Sequence, residues 1–400
     1  MKPCAVFHRD PATHLPAVLK ALAAGEPVFV GNPEWSPLET AAALGMIPAG
    51  TTVLGLTAEA SGPPPLHWPE GWQGRVMIPT GGTGGRVKFV IHNQQTLTTA
   101  AQQFAAALTL RGLALPLHTV TTTAPWHVSG FLPAIRAAVT GGVHVIVSGS
   151  FPRDQILPTV ELPPTGTRVV SLVPTQLVRL LEHPQGLAWL KGFDVILTGG
   201  ATLADELRQQ ICTQQLPVFV TYGLTELAAA CALCTPEALA APGPVRGQPL
   251  PGVEFSVVAG RLAICSAACA LGVWPDLDMN VPFVTGDRGE VDAAGTICVL
   301  GRADQILISG GIKVDAALVE ERLHAVAPQL QVIGVADPTW GQRIIAVVLG
   351  EAALEPALRA LAKTTLEPAA RPKAYVFVQS WPLDARGKLD RRAVEGLLAL

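Results

Sequence analysis

From Pro133 to Val220 the chain alternates between helix and strand candidates. Val143-His144-Val145-Ile146-Val147, Arg168 to Leu172, Asp194 to Leu197 and Val218 to Val220 read as strands. Pro133 to Val139, Thr175 to Glu182 and Ala204 to Cys212 read as helices. Strands alternating with helices predict a layered α/β fold with a mainly parallel sheet. In such sheets the loops beyond the strand ends usually carry the site.

The flanking segments extend this frame. Leu15 to Ala24 reads as a helix stopped by Gly25, and Val28 to Val30 as a short buried strand. Arg75 to Ile78 and Lys88 to Ile91 read as strands on either side of a glycine-rich loop. Asn93 is a suitable N-cap for a helix from Gln94 to about Leu110. From Val245 to Val299 short strands separated by glycine and proline predict a smaller β-rich subdomain. Beyond it the pattern changes to a compact α+β unit: Gln305 to Ile308, Asp315 to Val326, Gln331 to Val335, Arg343 to Leu349, Glu351 to Ala362 and Ala374 to Val378. We expect a large N-terminal domain over 1–302 and a small C-terminal domain over 303–400.

The stretch Pro79 to Lys88, P-T-G-G-T-G-G-R-V-K, packs four glycines, two threonines and two cations into ten residues. Glycine allows positive φ and close approach of a ligand to the backbone. Successive N–H groups in such a loop form an anion nest. Thr80 and Thr83 add hydroxyl donors, and Arg86 and Lys88 add charge. This is chemistry for a polyphosphate, but the spacing is not that of G-x-x-x-x-G-K-[ST].

Composition narrows the partners. A net charge of −3 argues against electrostatic binding to nucleic acid or an anionic membrane. No apolar run approaches the length of a membrane span, and the N-terminus lacks an apolar signal region, so a cytoplasmic protein is expected. The seven cysteines are scattered and odd in number, which argues against a disulfide framework. Cys231, Cys234, Cys265 and Cys269 lie in alanine-rich surroundings and read as small thiols rather than a zinc site.

Four further stretches follow the loop. Thr221-Tyr222-Gly223-Leu224-Thr225-Glu226 presents an aromatic face, a hydroxyl and a carboxylate suited to Mg²⁺. Thr285-Gly286-Asp287 sets an acid on a turn, and Gly301-Arg302-Ala303-Asp304 precedes Ser309-Gly310-Gly311. Pro382 to Arg391 places Lys388 on a glycine turn. In this order the motifs T-Y-G-x-T-E, T-G-D, G-R-x-D and P-x-x-x-x-G-K-x-x-R resemble the adenylate-forming superfamily of acyl-CoA ligases, adenylation domains and luciferases, over residues 79–391. Within it, Trp126-His127-Val128-Ser129-Gly130 and Ser171-Leu172-Val173-Pro174-Thr175-Gln176-Leu177 most resemble the o-succinylbenzoate–CoA ligases of menaquinone and phylloquinone biosynthesis.

The resemblance implies an ATP-dependent, AMP-forming ligase that joins a carboxylic acid to coenzyme A. It implies that Thr80, Gly81, Gly82, Thr83, Gly84 and Lys88 hold phosphates, that Thr225 contacts phosphate and that Glu226 ligates Mg²⁺. Tyr222 and Gly223 would face adenine, and Asp287 and Arg302 the ribose. Gly199, Gly200 and Ala201 would line the passage between acyl pocket and adenine. Lys388 would bridge carboxylate and phosphate, Asp304 would be the hinge of a mobile C-terminal domain, and Ser309, Gly310 and Gly311 would face coenzyme A. His127 would sit beside the acid, with Ser171, Thr175, Gln176 and Arg179 near the acid's second carboxylate.

Plainer readings stay open: Tyr222 and His127 as core, Glu226 as a helix-terminal acid, Thr175 as an N-cap, and Arg179, Arg302 and Lys388 as surface cations. So do a different acid, a carrier protein as acyl acceptor, a non-catalytic nucleotide binder and homo-oligomerisation. Two departures stand out. Gly84 replaces a hydroxyl residue and Val87 a proline of the family loop, and the segment before the loop is shorter than in the family.

Overall fold

The computed structural model describes residues 2–398 except 36, 64–71, 82–86, 148–150, 152–154, 201, 202, 204, 277, 304–305, 310–311, 338–340, 369 and 383–390. The chain divides into two compact units. One comprises Met1–Thr285 and Glu290–Val299, the other Gly286–Gly289 and Leu300–Leu400.

The first unit contains a six-stranded sheet near the N-terminus. Its strands run Gly272–Val273, Val87–Asn93, Arg75–Gly81, Val28–Val30, Cys4–Val6 and Thr52–Leu54 across the sheet. Arg75–Gly81 and Val87–Asn93 form an antiparallel hairpin, with Thr80 opposite Lys88 and Gly81 opposite Val87. The hairpin leads into the helix Gln94–Thr109. Asn93 caps it as its sequence indicates: Oδ1 accepts from Thr96 N at 2.9 Å, and Thr96 Oγ1 accepts from Asn93 N at 3.1 Å.

The expected parallel sheet forms the middle of an eleven-stranded sheet. Leu117–Thr121, Thr167–Leu172, Val195–Gly199 and Val218–Leu224 are adjacent and parallel. Successive side chains point to opposite faces. Val169, Leu197 and Phe219 therefore pack with Phe104 and Leu108 of the Gln94 helix. Val170, Ile196 and Val218 pack on the other face with Leu177 and Leu180 of the helix Pro174–Glu182 and with Leu207 and Ile211 of Asp205–Thr213. Leu117–Thr121 is a strand that hydropathy does not signal. Its polar members are paired: His118 Nε2 donates to Thr165 O at 2.7 Å, and Thr119 Oγ1 donates to Pro133 O at 2.8 Å.

The second unit contains a five-stranded sheet of Ile306–Ser309, Ile312–Asp315, Leu330–Asp337, Gly341–Leu349 and Ala374–Val378. Leu323, Val332, Ala346, Val348 and Leu358 form its core with the helices Ala316–Leu323 and Glu355–Thr365. The single helix expected over Glu351 to Ala362 is a 3₁₀ turn, Ala352–Leu354, followed by Glu355–Thr365. Pro356 has no N–H to give and fits the first turn of the second piece.

Burial lowers the pKa of His14, His92 and His144 from 6.5 to about 4. The unfolded chain therefore binds more protons than the folded one between these values, so stability rises with pH across the window and falls as pH drops from 6.5 toward 4. Thermal melts across this range should show the midpoint falling on acidification, and a flat midpoint would contradict neutral burial of these rings.

Candidate active site

The parallel strands end together. Thr121 lies opposite Ser171, Leu172 opposite Thr198, and Gly199 opposite Thr221. Their carboxyl ends thus form one edge of the sheet, the usual place for a ligand in this architecture. The backbone is tight here. A Cβ on Gly199 would lie 2.2 Å from Thr221 Oγ1, and one on Gly223 would lie 2.1 Å from Ala229 O. Gly200 has φ +83°, which favours glycine. Ala201 lies outside the described residues. Gly199→Ala should lower the thermal midpoint, since overpacking costs about 1–3 kcal/mol. An unchanged midpoint would show that Thr221 gives way freely.

Tyr222 stands on the last part of Val218–Leu224, half-buried, with its ring centroid 6.1 Å from that of Phe255. The strand passes directly into a 3₁₀ turn, Thr225–Leu227. Two backbone contacts pin this turn: His92 Nε2 lies 2.8 Å from Thr225 O, and Ala270 N donates to Glu226 O at 2.8 Å. Thr225 and Glu226 are both partly exposed. Glu226 sits in the first turn of this short 3₁₀ helix, so the plainer reading as a helix-terminal acid stays open.

The hairpin places Thr80 and the exposed Lys88 side by side. Gly81 ends its first strand, whereas Gly82, Thr83, Gly84 and Arg86 lie outside the described residues. His127 is the N-cap residue of the helix Val128–Thr140 and makes no side-chain cap hydrogen bond. Its ring is reached by solvent, yet enough protein surrounds it that desolvation lowers its pKa, partly opposed by Glu34.

The residues expected near the acid take different roles. Ser171 is buried, and its carbonyl accepts from Thr122 Oγ1 at 2.9 Å. Gln176 turns inward: its Oε1 accepts from Thr122 Oγ1 at 2.8 Å and from Val173 N at 2.9 Å. It thus ties the end of Leu117–Thr121 to the start of the Pro174 helix. Val173 is the N-cap residue of that helix, so the N-cap alternative for Thr175 does not hold. Thr175 and Arg179 are exposed on the same helix.

In the second unit Asp287 is buried and forms an ion pair with Arg302, Nη1 to Oδ1, at 3.4 Å. The guanidinium lies against Gly286, where a Cβ would be 2.6 Å from Nη2. Arg302 is thus an ion-pair partner as well as a ribose candidate. Ser309 is buried, and its Oγ has no hydrogen-bond partner among the described residues. Asp304, Gly310, Gly311 and Lys388 lie outside the described residues.

The donor chemistry suits magnesium. Glu226 offers a hard carboxylate beside the Thr225 hydroxyl. Among the described residues no group of three or more His, Cys, Asp or Glu could hold a metal ion by itself. Mg²⁺ commonly takes one or two carboxylates plus substrate phosphates and water, which is what this turn can provide. Among the described residues no helix is long and apolar enough to cross a membrane.

His92, Thr96, Ala228 and Ala270 were not signalled by the motifs. The one cue was a histidine immediately before the Asn93 cap.

Residues 5–264 match the family described as AMP-binding enzyme, and residues 315–388 match the AMP-binding enzyme C-terminal domain. The chain is 31% identical over 335 residues to the probable 2-succinylbenzoate–CoA ligase of Mycobacterium tuberculosis H37Rv, covering 80% of this chain and 83% of that protein. Wild-type E. coli MenE, solved with a bound m-phenylether-linked analogue of OSB-AMS, superposes with a TM-score of 0.68 at 26% identity, covering 100% of this chain and 89% of that one. The Bacillus subtilis o-succinylbenzoate coenzyme A synthetase, solved with ATP and magnesium ion, shares the fold with a TM-score of 0.76 at 19% identity, covering 98% and 89%. The family match over residues 5–264 and the mycobacterial relative show that the chain belongs to the AMP-binding enzyme family.

Proposed function

We propose that this protein is an ATP-dependent, AMP-forming acid–CoA ligase that converts o-succinylbenzoate to o-succinylbenzoyl-CoA. The single observation that carries the choice of acid is the likeness to the mycobacterial 2-succinylbenzoate–CoA ligase, which spans most of both chains. The segment Ser171 to Arg179 supports it, since Thr175 and Arg179 are exposed on the helix that begins just beyond the strand Thr167–Leu172.

The reaction has two halves. A carboxylate oxygen of the acid attacks the α-phosphorus of ATP, the bond to the bridging oxygen breaks, and pyrophosphate leaves. The thiolate of coenzyme A then attacks the acyl carbon, the bond to AMP breaks, and the thiol proton passes to solvent. Two anions meet in the first half, so cations and donors must face the developing charge. Thr80, Lys88 and Thr225 serve the phosphates, and Lys388 bridges carboxylate and α-phosphate. Glu226 would hold magnesium, which would offset phosphate charge. Tyr222 stacks with adenine, while Asp287 and Arg302 take the ribose. Arg179 pairs with the acid's second carboxylate, because a carboxylate drawn from water needs a charged or multiply donating partner. Gln176 supports this wall rather than touching the acid, since its amide is engaged with Thr122 and Val173.

The test is incubation of purified protein with ATP, Mg²⁺, coenzyme A and a panel of acids, read by mass spectrometry. AMP and a thioester with o-succinylbenzoate are expected. Thioester only with another acid would keep the reaction and overturn the substrate. Acyl-AMP without thioester would move the acceptor to a carrier protein.

A further inference from the structure

We propose that His92 is a positioning residue that registers the two halves of the phosphate and metal site against each other. This goes beyond the reading above but rests on its assignment of Thr225 and Glu226. Thr80 and Lys88 belong to the six-stranded sheet, whereas Thr225 and Glu226 extend a strand of the eleven-stranded sheet. His92 lies in the same strand as Lys88, four residues on, and is fully buried. Its ring spans the gap: Nε2 lies 2.8 Å from Thr225 O, and Nδ1 lies 3.0 Å from Thr96 Oγ1.

The partners fix the tautomer. A carbonyl can only accept, so Nε2 carries the proton and Nδ1 accepts from the Thr96 hydroxyl. Thr96 Oγ1 in turn accepts from Asn93 N at 3.1 Å, inside the cap of the Gln94 helix. A continuous chain of donors therefore runs from that helix N-terminus through the imidazole to the turn. The positive end of the helix macrodipole beside the ring disfavours its protonation. The buried ring's depressed pKa agrees with this direction.

The turn needs such a brace. It is followed by two non-glycine residues in the left-handed region, Ala228 at φ +49° and Ala229 at φ +79°. Backbone in that region persists only where its surroundings over-determine it, and it clusters at functional sites. Thr225 O also accepts from Ala228 N at 3.1 Å, so the His92 contact bears on the carbonyl that closes the strained turn. A second strap comes from the segment that pairs with the His92 strand. Ala270 N donates to Glu226 O and Leu271 N to Ile91 O, each at 2.8 Å. Both links join the same two sheets, but only His92 does so through a replaceable side chain.

The test compares nucleotide affinities without acid or coenzyme A, using calorimetry with MgATP and with AMP as separate titrants. His92→Phe removes the donor. It should weaken MgATP about tenfold, the scale of one lost hydrogen bond, and leave AMP within about twofold. His92→Gln keeps an N–H donor and should restore most of the MgATP affinity. Hydrogen exchange at the Ala228 and Ala270 amides should quicken in His92→Phe while the amides of Val195–Gly199 stay protected. If His92→Phe does not fold, Thr96→Val, which frees the imidazole tautomer, should lower MgATP relative to AMP in the same sense. Equal losses for both nucleotides, or no loss for either in a folded variant, would overturn the proposal. Wild-type protein that binds MgATP but makes no thioester with any acid would sink the substrate assignment and leave this inference standing.

Discussion

Replacing Lys388 by alanine is expected to slow acyl-adenylate formation by about 10²- to 10³-fold, the usual effect of losing one donor aimed at developing charge. It should leave thioester formation from supplied acyl-adenylate within a few-fold of wild type. The asymmetry follows from the chemistry. In the first half-reaction two anionic groups approach, and a lysine between them is worth most at the transition state. In the second half a thiolate attacks a carbonyl whose leaving group is already activated. We propose that Lys388 serves only the first, because the sequence Pro382 to Arg391 matches the family motif that carries this role. Rapid-quench assays of each half separately would resolve the effects. Equal loss in both halves would contradict a division of labour between two arrangements of the chain. No loss in either would remove Lys388 from the chemistry.

The second large effect is expected at Glu226. Glu226→Gln keeps the shape and removes the charge, so the Mg²⁺ requirement should rise by at least about tenfold and adenylate formation should fall in parallel. Because no group of three or more His, Cys, Asp or Glu that could hold a metal ion is present among the described residues, little compensation is expected from neighbours. The turn itself should survive, since its carbonyls are held by His92 and Ala270. A thermal midpoint close to wild type, with adenylate formation restored at high Mg²⁺, is the expected pattern. Unchanged Mg²⁺ dependence would place the metal elsewhere.

Sequence alone shows the parts of this protein whose physics is local. The Gln94–Thr109 helix is announced by Asn93, because a cap is a contact between residues three apart. Strands such as Thr167–Leu172 and Val218–Leu224 are announced by buried β-branched runs. The motif around Glu226 can be recognised because its spacing is fixed by short backbone geometry, whereas Thr285-Gly286-Asp287, expected on a turn for its glycine, lies within the strand Phe283–Val291. Leu117–Thr121 is hidden, since His118 and Thr119 look like surface residues until Thr165 and Pro133 are brought to them. Gln176 looks like a free ligand residue until Thr122, 54 positions away, closes on it. His92 meets Thr225 across 133 positions, and nothing in the local pattern marks that meeting. Thr175 misleads for the opposite reason. A hydroxyl before an apolar run suggests a cap, but Pro174 already occupies the first helical turn and moves the cap back to Val173.

The most direct test of the central claim is the fate of carboxylate oxygen. The protein is given o-succinylbenzoate labelled with ¹⁸O in its carboxylates, together with ATP, Mg²⁺ and coenzyme A, and the products are weighed by mass spectrometry. Attack of the carboxylate on the α-phosphorus, followed by release of AMP, predicts one labelled oxygen in AMP and none in pyrophosphate. Label in inorganic phosphate with ADP as co-product, or thioester formed with unlabelled AMP, would contradict an acyl-adenylate route.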